Sequence, residues 1–202
     1  MSSSAQPDHT FSLPNLLTFA RILAVPAIVV CFFSSGKLES TDFARWSAFV
    51  IFTIASVTDF FDGYLARKWQ QTTAIGRMLD PIADKLLVSV VLLLLAAEGS
   101  IAGWSLWAGV IILCREILVS GLREHLASIK VSVPVTTLAK WKTTAQLFAI
   151  GFLLIGTAGD KVVPHVSDIG IALLWFAALL TLYTGYDYFR GGLKYLLQDQ
   201  PK

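Results

Sequence analysis

Several apolar runs, each about 20 residues long, constrain the fold of this chain more than any other feature. A run of this length is sufficient for one α-helix to cross the hydrocarbon core of a bilayer. The composition agrees, because 55% of the residues are hydrophobic, only 15% are charged, and the mean hydropathy is +0.66. A soluble core formed by 202 residues does not need so much apolar sequence. We therefore predict an all-α integral membrane protein.

The apolar runs and the polar breaks between them predict six transmembrane helices in a single domain, residues 1–202. Their predicted ranges are 12–33, 43–67, 75–97, 104–125, 138–157 and 167–189. The third helix has two possible starts, because Asp80 could cap a helix in which Pro81 is the first residue. We favour the start near residue 75, since it keeps Gly76, Asp80 and Asp84 on one helical face.

Basic residues are concentrated on one side of this predicted arrangement. The segments after the second helix, after the fourth helix and at the tail hold Arg67, Lys68, Arg77, Arg123, Lys130, Lys140, Lys142, Arg190, Lys194 and Lys202. The opposite side holds only Lys37, Arg45 and Lys161. Because Lys and Arg are enriched in cytoplasmic loops, we predict that both termini lie in the cytoplasm. The first ten residues lack the features of a cleaved signal, so we expect the first apolar run to be retained as a helix.

Two stripes of polar residues interrupt the apolar background at the break between the second and third helices. One stripe closes the second helix and the other opens the third: Asp59, Asp62, Gly63, Ala66 and Arg67, then Gly76, Asp80 and Asp84. Each stripe has the spacing of a single helical face. The two helices could therefore face each other, with carboxylates on both and glycine allowing the backbones to approach. Positive-inside counting places these carboxylates at the cytoplasmic side.

Ionisable residues in membrane helices are costly and usually have a function. These aspartates offer oxygen ligands with no His or Cys nearby, which favours Mg²⁺ or Mn²⁺ over softer metals. Two such ions could clamp a pyrophosphate, and one carboxylate at the rim could accept a proton from an attacking hydroxyl. The structural alternative is that the acids only pair with Arg67, Arg77 and Lys85.

A second basic group lies further along the chain. Arg115 and Arg123 are eight residues apart on the predicted fourth helix, and Lys140 and Lys142 open the fifth. Together they would suit a substrate that carries a phosphate. The lysines are also explained by the general enrichment of basic residues at the cytoplasmic face, or by binding of anionic lipid headgroups. Arg115 is harder to explain in that way because it lies well inside an apolar run, and Glu116 is a candidate partner for it.

The first helix also carries a polar face, formed by Asn15, Thr18 and Arg21 at a spacing of three residues. Two interpretations of Arg21 are open. Its side chain could extend to the lipid headgroups, as long basic side chains near helix ends do. Alternatively, it could face a polar cavity together with Asn15 and Thr18.

The complete pattern, Asp59-x-x-Asp62-Gly63-x-x-Ala66-Arg67, eight residues, then Gly76-x-x-x-Asp80-x-x-x-Asp84, resembles the signature of the CDP-alcohol phosphotransferases at every fixed position. The segments PNLLTFARI, REILVSGLRE and KWKTTAQ are similar to those of bacterial members that form phosphatidylglycerophosphate. The resemblance covers the whole chain. It implies six transmembrane helices, a homodimer, and a location in the bacterial inner (cytoplasmic) membrane among its lipids.

The resemblance also implies a reaction, in which CDP-diacylglycerol and glycerol 3-phosphate give phosphatidylglycerophosphate and CMP. One metal ion would be bound by Asp59, Asp62 and Asp80, and a second by Asp59, Asp80 and Asp84. Asp84 would also be the general base. The residues implied for CDP-diacylglycerol binding are Gly63, Arg67 and Thr73, with Asn15 and Thr18 from the first helix. The acceptor phosphate would be bound by the second basic group, Arg115, Arg123, Lys140 and Lys142.

Other functions are compatible with parts of the sequence. Inositol phosphate is the nearest rival acceptor, because it would use a similar basic pocket. A cation transporter would also need intramembrane acids, but the predicted helices offer no ladder of polar residues across the midplane. A catalytically dead scaffold is disfavoured, since every signature position is intact. We expect no nucleic-acid partner.

Overall fold

The structure is a computed structural model that describes residues 13–33, 41–69, 74–129, 131 and 137–198. The elements in the described part of the chain are all α-helices, and there are six of them. In chain order they are α1 (Leu13–Phe33), α2 (Asp42–Trp69), α3 (Ala74–Ala97), α4 (Ser105–Ser128), α5 (Thr137–Asp160) and α6 (Val166–Gln198). The all-α prediction and the number of helices are therefore confirmed.

The predicted helix boundaries are close to the observed ones, except at the end of α6. α3 begins at Ala74, so Pro81 lies inside the helix and the alternative start at Asp80 is wrong. Asp80 and Asp84 accordingly share one helix, one turn apart. α6 continues to Gln198, well beyond the predicted end near residue 189, because the segment after Arg190 extends the helix rather than breaking it.

Three of the described helical segments are long and apolar enough to cross a membrane. They are Asn15–Phe33 in α1, Ser105–Ser128 in α4 and Val166–Gly192 in α6. The described residues of α2, α3 and α5 provide no such segment. The structure thus supports a membrane protein, while the prediction of six spans stays a prediction.

The packing divides the chain into two compact units, residues 1–94 and 95–202. In the first unit α1 packs against α2. The face of α2 that is buried carries small residues at helical spacing, including Ala44, Ala48 and Ala55, with Phe52 between them. Such small side chains allow helix backbones to approach closely, as is usual in membrane proteins.

In the second unit α6 packs against both α4 and α5. Gly170 is required at the α5 contact, because a Cβ there would lie 2.9 Å from Leu153 Cγ and 3.2 Å from the Leu153 backbone nitrogen. Gly170 therefore serves helix packing within one chain. α5 is itself interrupted at Gly156, where φ is 44° and ψ is −125°, a conformation that glycine adopts without a Cβ penalty.

The side chain of Asp160, the last residue of α5, forms hydrogen bonds with Ser167 at the start of α6. Its Oδ1 accepts a hydrogen bond of 3.0 Å from the backbone N–H of Ser167, and its Oδ2 accepts one from the Ser167 hydroxyl. The first N–H groups of a helix have no partner within the helix, so Asp160 satisfies one of them for α6. The side-chain and backbone hydrogen bonds from Ser167 hold the pKa of Asp160 below its usual range.

We expect Asp160→Asn to lower the apparent unfolding temperature at neutral pH. Because the pKa of Asp160 is lowered in the folded state, the stabilisation is present above the pKa of an unfolded aspartate, about 3.9, and is lost as the pH falls through the folded value. The difference in unfolding temperature between wild type and variant should therefore become smaller as the pH is lowered. Thermal unfolding of the detergent-solubilised protein between pH 7 and pH 3 measures it. Asp187→Asn, at an exposed position of α6, is the matched control, and a gap that does not change with pH would contradict the assignment.

Candidate active site

α1 presents a buried polar face in the first unit. Asn15, Thr18 and Arg21 are all almost completely buried, with only 1 to 2% of each exposed. Their spacing of three residues places them along one side of the helix. Arg21 is therefore not extended towards the headgroups, and the interpretation in which it faces a polar environment is confirmed.

Arg21 forms an ion pair with the first aspartate of the motif. Its Nη1 lies 2.6 Å from Oδ1 of Asp59, which is on α2. The side chain of Arg21 is 1% exposed, whereas that of Asp59 is 44% exposed. Within this close ion pair the arginine is therefore buried, whereas the carboxylate is partly exposed.

Thr18 makes the corresponding contact with the second stripe. Its hydroxyl donates a hydrogen bond of 2.5 Å to Oδ1 of Asp80 on α3. The negative charge of Asp80 in turn acts on Asp59. α1 therefore contacts one carboxylate from each half of the motif, and the structure brings Thr18, Arg21, Asp59 and Asp80 together.

The remaining residues of the second stripe follow the α3 helix. Gly76 is buried one turn before Asp80, and Asp84 is half-buried one turn after it. Lys85, which the sequence offered as a structural partner for the acids, donates from Nζ to the backbone oxygen of Pro81 at 2.8 Å. This contact directs the ammonium group of Lys85 to its own helix.

Several predicted site residues lie outside the described part of the structure. Thr73 is one of them, and the surroundings of Asp62, Gly63, Arg67 and Lys140 are likewise not described, although these four belong to helices. Among the described residues there is no group of three or more His, Cys, Asp or Glu side chains that could hold a metal ion. The predicted metal set includes Asp62, so it stays a prediction.

The second unit contains a polar cluster formed by α4, α5 and α6. Arg115 donates from Nε to the Thr181 backbone oxygen at 3.1 Å and from Nη2 to the Thr184 hydroxyl at 3.1 Å. Its Nη1 lies 3.4 Å from Oε1 of Glu116, and the same oxygen pairs with Nζ of Lys142. The suggestion that Glu116 is a partner for the arginine is therefore confirmed, and Glu116 links the two predicted acceptor-binding residues.

Gly185 makes room for this arginine. A Cβ at position 185 would lie 3.0 Å from Cγ and 3.3 Å from Nε of Arg115. The absence of a side chain therefore allows Arg115 to lie against α6, where the Thr181 carbonyl and the Thr184 hydroxyl are within reach. The guanidinium has five N–H donors, and three of them are used in these contacts.

Arg123, the other predicted acceptor-binding residue of α4, is placed differently. Its side chain is exposed and lies over the ring of Tyr188, with 5.7 Å from Cζ to the ring centroid. This distance is in the range of a cation–π interaction. The contacts that connect Arg115, Glu116 and Lys142 do not include Arg123.

The sequence pattern did not connect Arg115 with its partners on α6. Arg21 was left between two interpretations, and Thr181, Thr184 and Gly185 were not considered as partners of Arg115. A signal for the last three was present, because they recur at i, i+3 and i+4 within the otherwise apolar α6. Small polar residues at this spacing in a membrane helix indicate a face that contacts another helix.

Comparison with known proteins gives one consistent result. A family model described as CDP-alcohol phosphatidyltransferase matches residues 11–183. The chain is similar to proteins named CDP-diacylglycerol–glycerol-3-phosphate 3-phosphatidyltransferase from three bacteria. The identity is 48% for the relative from Rickettsia bellii, over 91% of this chain and 97% of the relative. It is 39% for the relative from Cereibacter sphaeroides (94% and 99%) and 39% for that from Haemophilus influenzae (88% and 91%).

The match to the family model extends from before α1 into α6 and includes every position of the aspartate signature. The resemblance found in the sequence is therefore confirmed. Since the family model covers most of the chain and the relatives are matched over nearly their full length, the chain belongs to the CDP-alcohol phosphatidyltransferase family.

Proposed function

We propose that this enzyme transfers the phosphatidyl group of CDP-diacylglycerol to glycerol 3-phosphate, with phosphatidylglycerophosphate and CMP as the products. The observation that carries the proposal is the intact signature, in which α1 contacts both Asp59 and Asp80. The names of the relatives from three bacteria support the same donor and acceptor. Family membership favours this transferase reaction over the cation-transporter alternative.

The aspartates of the signature fit divalent metal ions. Their donor atoms are all carboxylate oxygens, and Asp59 and Asp80 are near enough for their negative charges to interact, a repulsion that a cation between them would relieve. In the proposal two ions, Mg²⁺ or Mn²⁺, are bound by Asp59, Asp62, Asp80 and Asp84. Such ions would supply positive charge to the diphosphate of the donor.

The protein residues have separate roles in the proposed reaction. Asp84 accepts the proton of the acceptor hydroxyl, whose oxygen then forms a bond with the phosphorus that bears diacylglycerol. The phosphoanhydride bond breaks, and its electron pair leaves with CMP. Gly63, Arg67 and Thr73 bind the CDP group together with Asn15, and Arg67 contributes a charge-assisted bond to phosphate. Thr18, which was predicted to join them, already donates its hydroxyl hydrogen to Asp80.

The acceptor phosphate is proposed to bind to the polar cluster of the second unit. Arg115 and Lys142 share one carboxylate, Glu116, so this trio carries a net positive charge. Two N–H donors of Arg115 remain outside the contacts described above. Arg123 and Lys140 are proposed as further phosphate contacts. Inositol phosphate stays the nearest rival acceptor, because the same charges would attract it.

The proposal also includes the membrane arrangement. The three described segments that are long and apolar enough to span a bilayer support an integral membrane enzyme. We infer six spans in the bacterial inner membrane, with both termini and the aspartate signature at the cytoplasmic side, from the distribution of Lys and Arg. A homodimer among membrane lipids completes the proposed assembly.

One assay tests the function. Purified full-length protein in detergent is given CDP-diacylglycerol, Mg²⁺ or Mn²⁺, and one acceptor from a panel of glycerol 3-phosphate, inositol phosphate and serine, and CMP is measured. We expect CMP release that depends on glycerol 3-phosphate and stops when EDTA removes the metal. Faster release with inositol phosphate would contradict the acceptor, and full activity in EDTA would contradict the metal site. Absence of CMP release with every acceptor would contradict the transferase proposal.

A further inference from the structure

Two buried side chains of α1, Thr18 and Arg21, contact the aspartate signature in the same way. Each is about 1% exposed, and the three-residue spacing places both on one face of the helix. Each contacts a different aspartate: the Thr18 hydroxyl donates to Oδ1 of Asp80, and Nη1 of Arg21 lies 2.6 Å from Oδ1 of Asp59.

The charges explain why a buried arginine is useful at this position. Asp59 and Asp80 repel each other, and two more acids of the signature belong to the same two helices. Burial of an arginine is costly unless it is paired, and Arg21 is paired at 2.6 Å with a carboxylate that is partly exposed. Arg21 therefore reduces the repulsion between the acids and leaves Asp59 accessible from outside.

We propose that α1 is the positioning element of the metal site, in which Thr18 and Arg21 each hold one metal-binding carboxylate through its Oδ1 and so restrict its orientation. The inference rests on the metal site of the proposed function. Hydrogen-bonding partners of metal ligands restrict the orientation of those ligands, and their removal typically lowers metal affinity 10- to 100-fold. Thr18 and Arg21 are thus positioning residues rather than ligands, which also gives Thr18 a role other than contact with the nucleotide.

The competing explanation is that these contacts only tie α1 to α2 and α3. In that case loss of a contact would lower stability and would leave the affinity of correctly folded protein for metal unchanged. Metal affinity and thermal stability therefore separate the two explanations. They must be measured on the same preparations of full-length protein.

The first test compares Thr18→Val with Thr18→Ser. Valine has nearly the shape of threonine but cannot donate a hydrogen bond, whereas serine keeps the hydroxyl. Mn²⁺ is titrated into each detergent-solubilised protein, and free Mn²⁺ is followed by electron paramagnetic resonance. We expect Thr18→Val to raise the Kd for Mn²⁺ by about 10-fold or more and Thr18→Ser to stay near the wild-type value. Equal Kd values for wild type and Thr18→Val would overturn the inference.

The second test uses Arg21→Lys, which keeps the positive charge and removes the planar guanidinium. Because the charge is preserved, a change in Kd reports on the geometry of Asp59. We expect the Kd for Mn²⁺ to rise by about 10-fold. A variant with a lowered unfolding temperature and a wild-type Kd would show that the contact only ties the helices together, and would overturn the role of Arg21.

Turnover of the wild-type protein distinguishes this inference from the proposed function. If wild type releases CMP but Thr18→Val and Arg21→Lys bind Mn²⁺ normally, the positioning role fails and the proposed function stands. If wild type does not release CMP but the two variants bind Mn²⁺ more weakly than wild type does, the positioning role stands and the proposed reaction fails. Wild-type protein that binds no Mn²⁺ would overturn the inference together with the metal site.

Discussion

Replacement of Asp84 by asparagine is expected to slow CMP release by about 10²- to 10⁴-fold, the contribution that a general base usually makes. Asparagine is nearly isosteric with aspartate and keeps one oxygen that can contact a metal ion, but it cannot accept the proton of the acceptor hydroxyl. Binding of CDP-diacylglycerol should therefore change little. Single-turnover release of CMP and equilibrium binding of the donor lipid, measured on the same preparation, separate the two effects.

Asp42→Asn provides the matched control for this substitution. Asp42 is an exposed aspartate in the first turn of α2, and it is not part of the signature. We expect wild-type turnover from this variant. Turnover of Asp84→Asn at the wild-type rate would remove the general-base assignment. Equal losses of donor binding and of turnover would instead assign Asp84 to substrate binding.

Replacement of Arg115 by alanine is expected to raise the KM for glycerol 3-phosphate by about 10- to 100-fold. A hydrogen bond to a charged group contributes about 1.5–3 kcal/mol, and each 1.4 kcal/mol corresponds to about a factor of ten. The KM for CDP-diacylglycerol should change far less, because the proposed donor site is formed by other residues. Arg190→Ala, an exposed arginine on α6, is the control and should leave both constants unchanged.

Gly185→Ala tests the same arginine without removing it. The new Cβ would lie 3.0 Å from Arg115 Cγ, so the guanidinium must move relative to Thr181 and Thr184. We expect a smaller rise in the KM for glycerol 3-phosphate than in Arg115→Ala. Gly121→Ala on α4 is the matched control, because no atom lies within 4 Å of its added Cβ. If Arg115→Ala raises the two KM values equally, the acceptor-binding role is wrong.

Sequence reasoning was most accurate where a single physical requirement determined the structure. A bilayer-spanning helix needs about 20 apolar residues, so the runs themselves indicated the helices. The same holds for α3, because a common face for Gly76, Asp80 and Asp84 required Pro81 to lie inside the helix, as observed. Helix ends were less accurate, since the polar segment at the end of α6 follows a helical path without being apolar.

Partners between helices could not be predicted to the same extent. Periodicity places residues on a face of a helix but does not identify what lies opposite that face. Arg21 was therefore left between lipid headgroups and a polar environment until its contact with Asp59 was seen. Thr18 was assigned to the nucleotide by resemblance, yet its hydroxyl contacts Asp80. For Arg115, the contribution of α6 depends on a backbone oxygen, which every residue has, and on Gly185, whose position opposite the arginine the sequence pattern does not specify.

The position of Thr184 along α6 would set the depth of the Arg115 guanidinium in a bilayer that α6 spans. At about 1.5 Å per residue, Thr184 stands about 27 Å along the helix from Val166. The hydrocarbon core of a bilayer is about 30 Å thick, so an upright α6 that enters at Val166 brings the charge anchored to Thr184 close to the opposite surface. An ion arriving from water could meet the guanidinium there without crossing the lipid interior. In that arrangement, attachment of Arg115 near the end of the span would allow access from the aqueous phase.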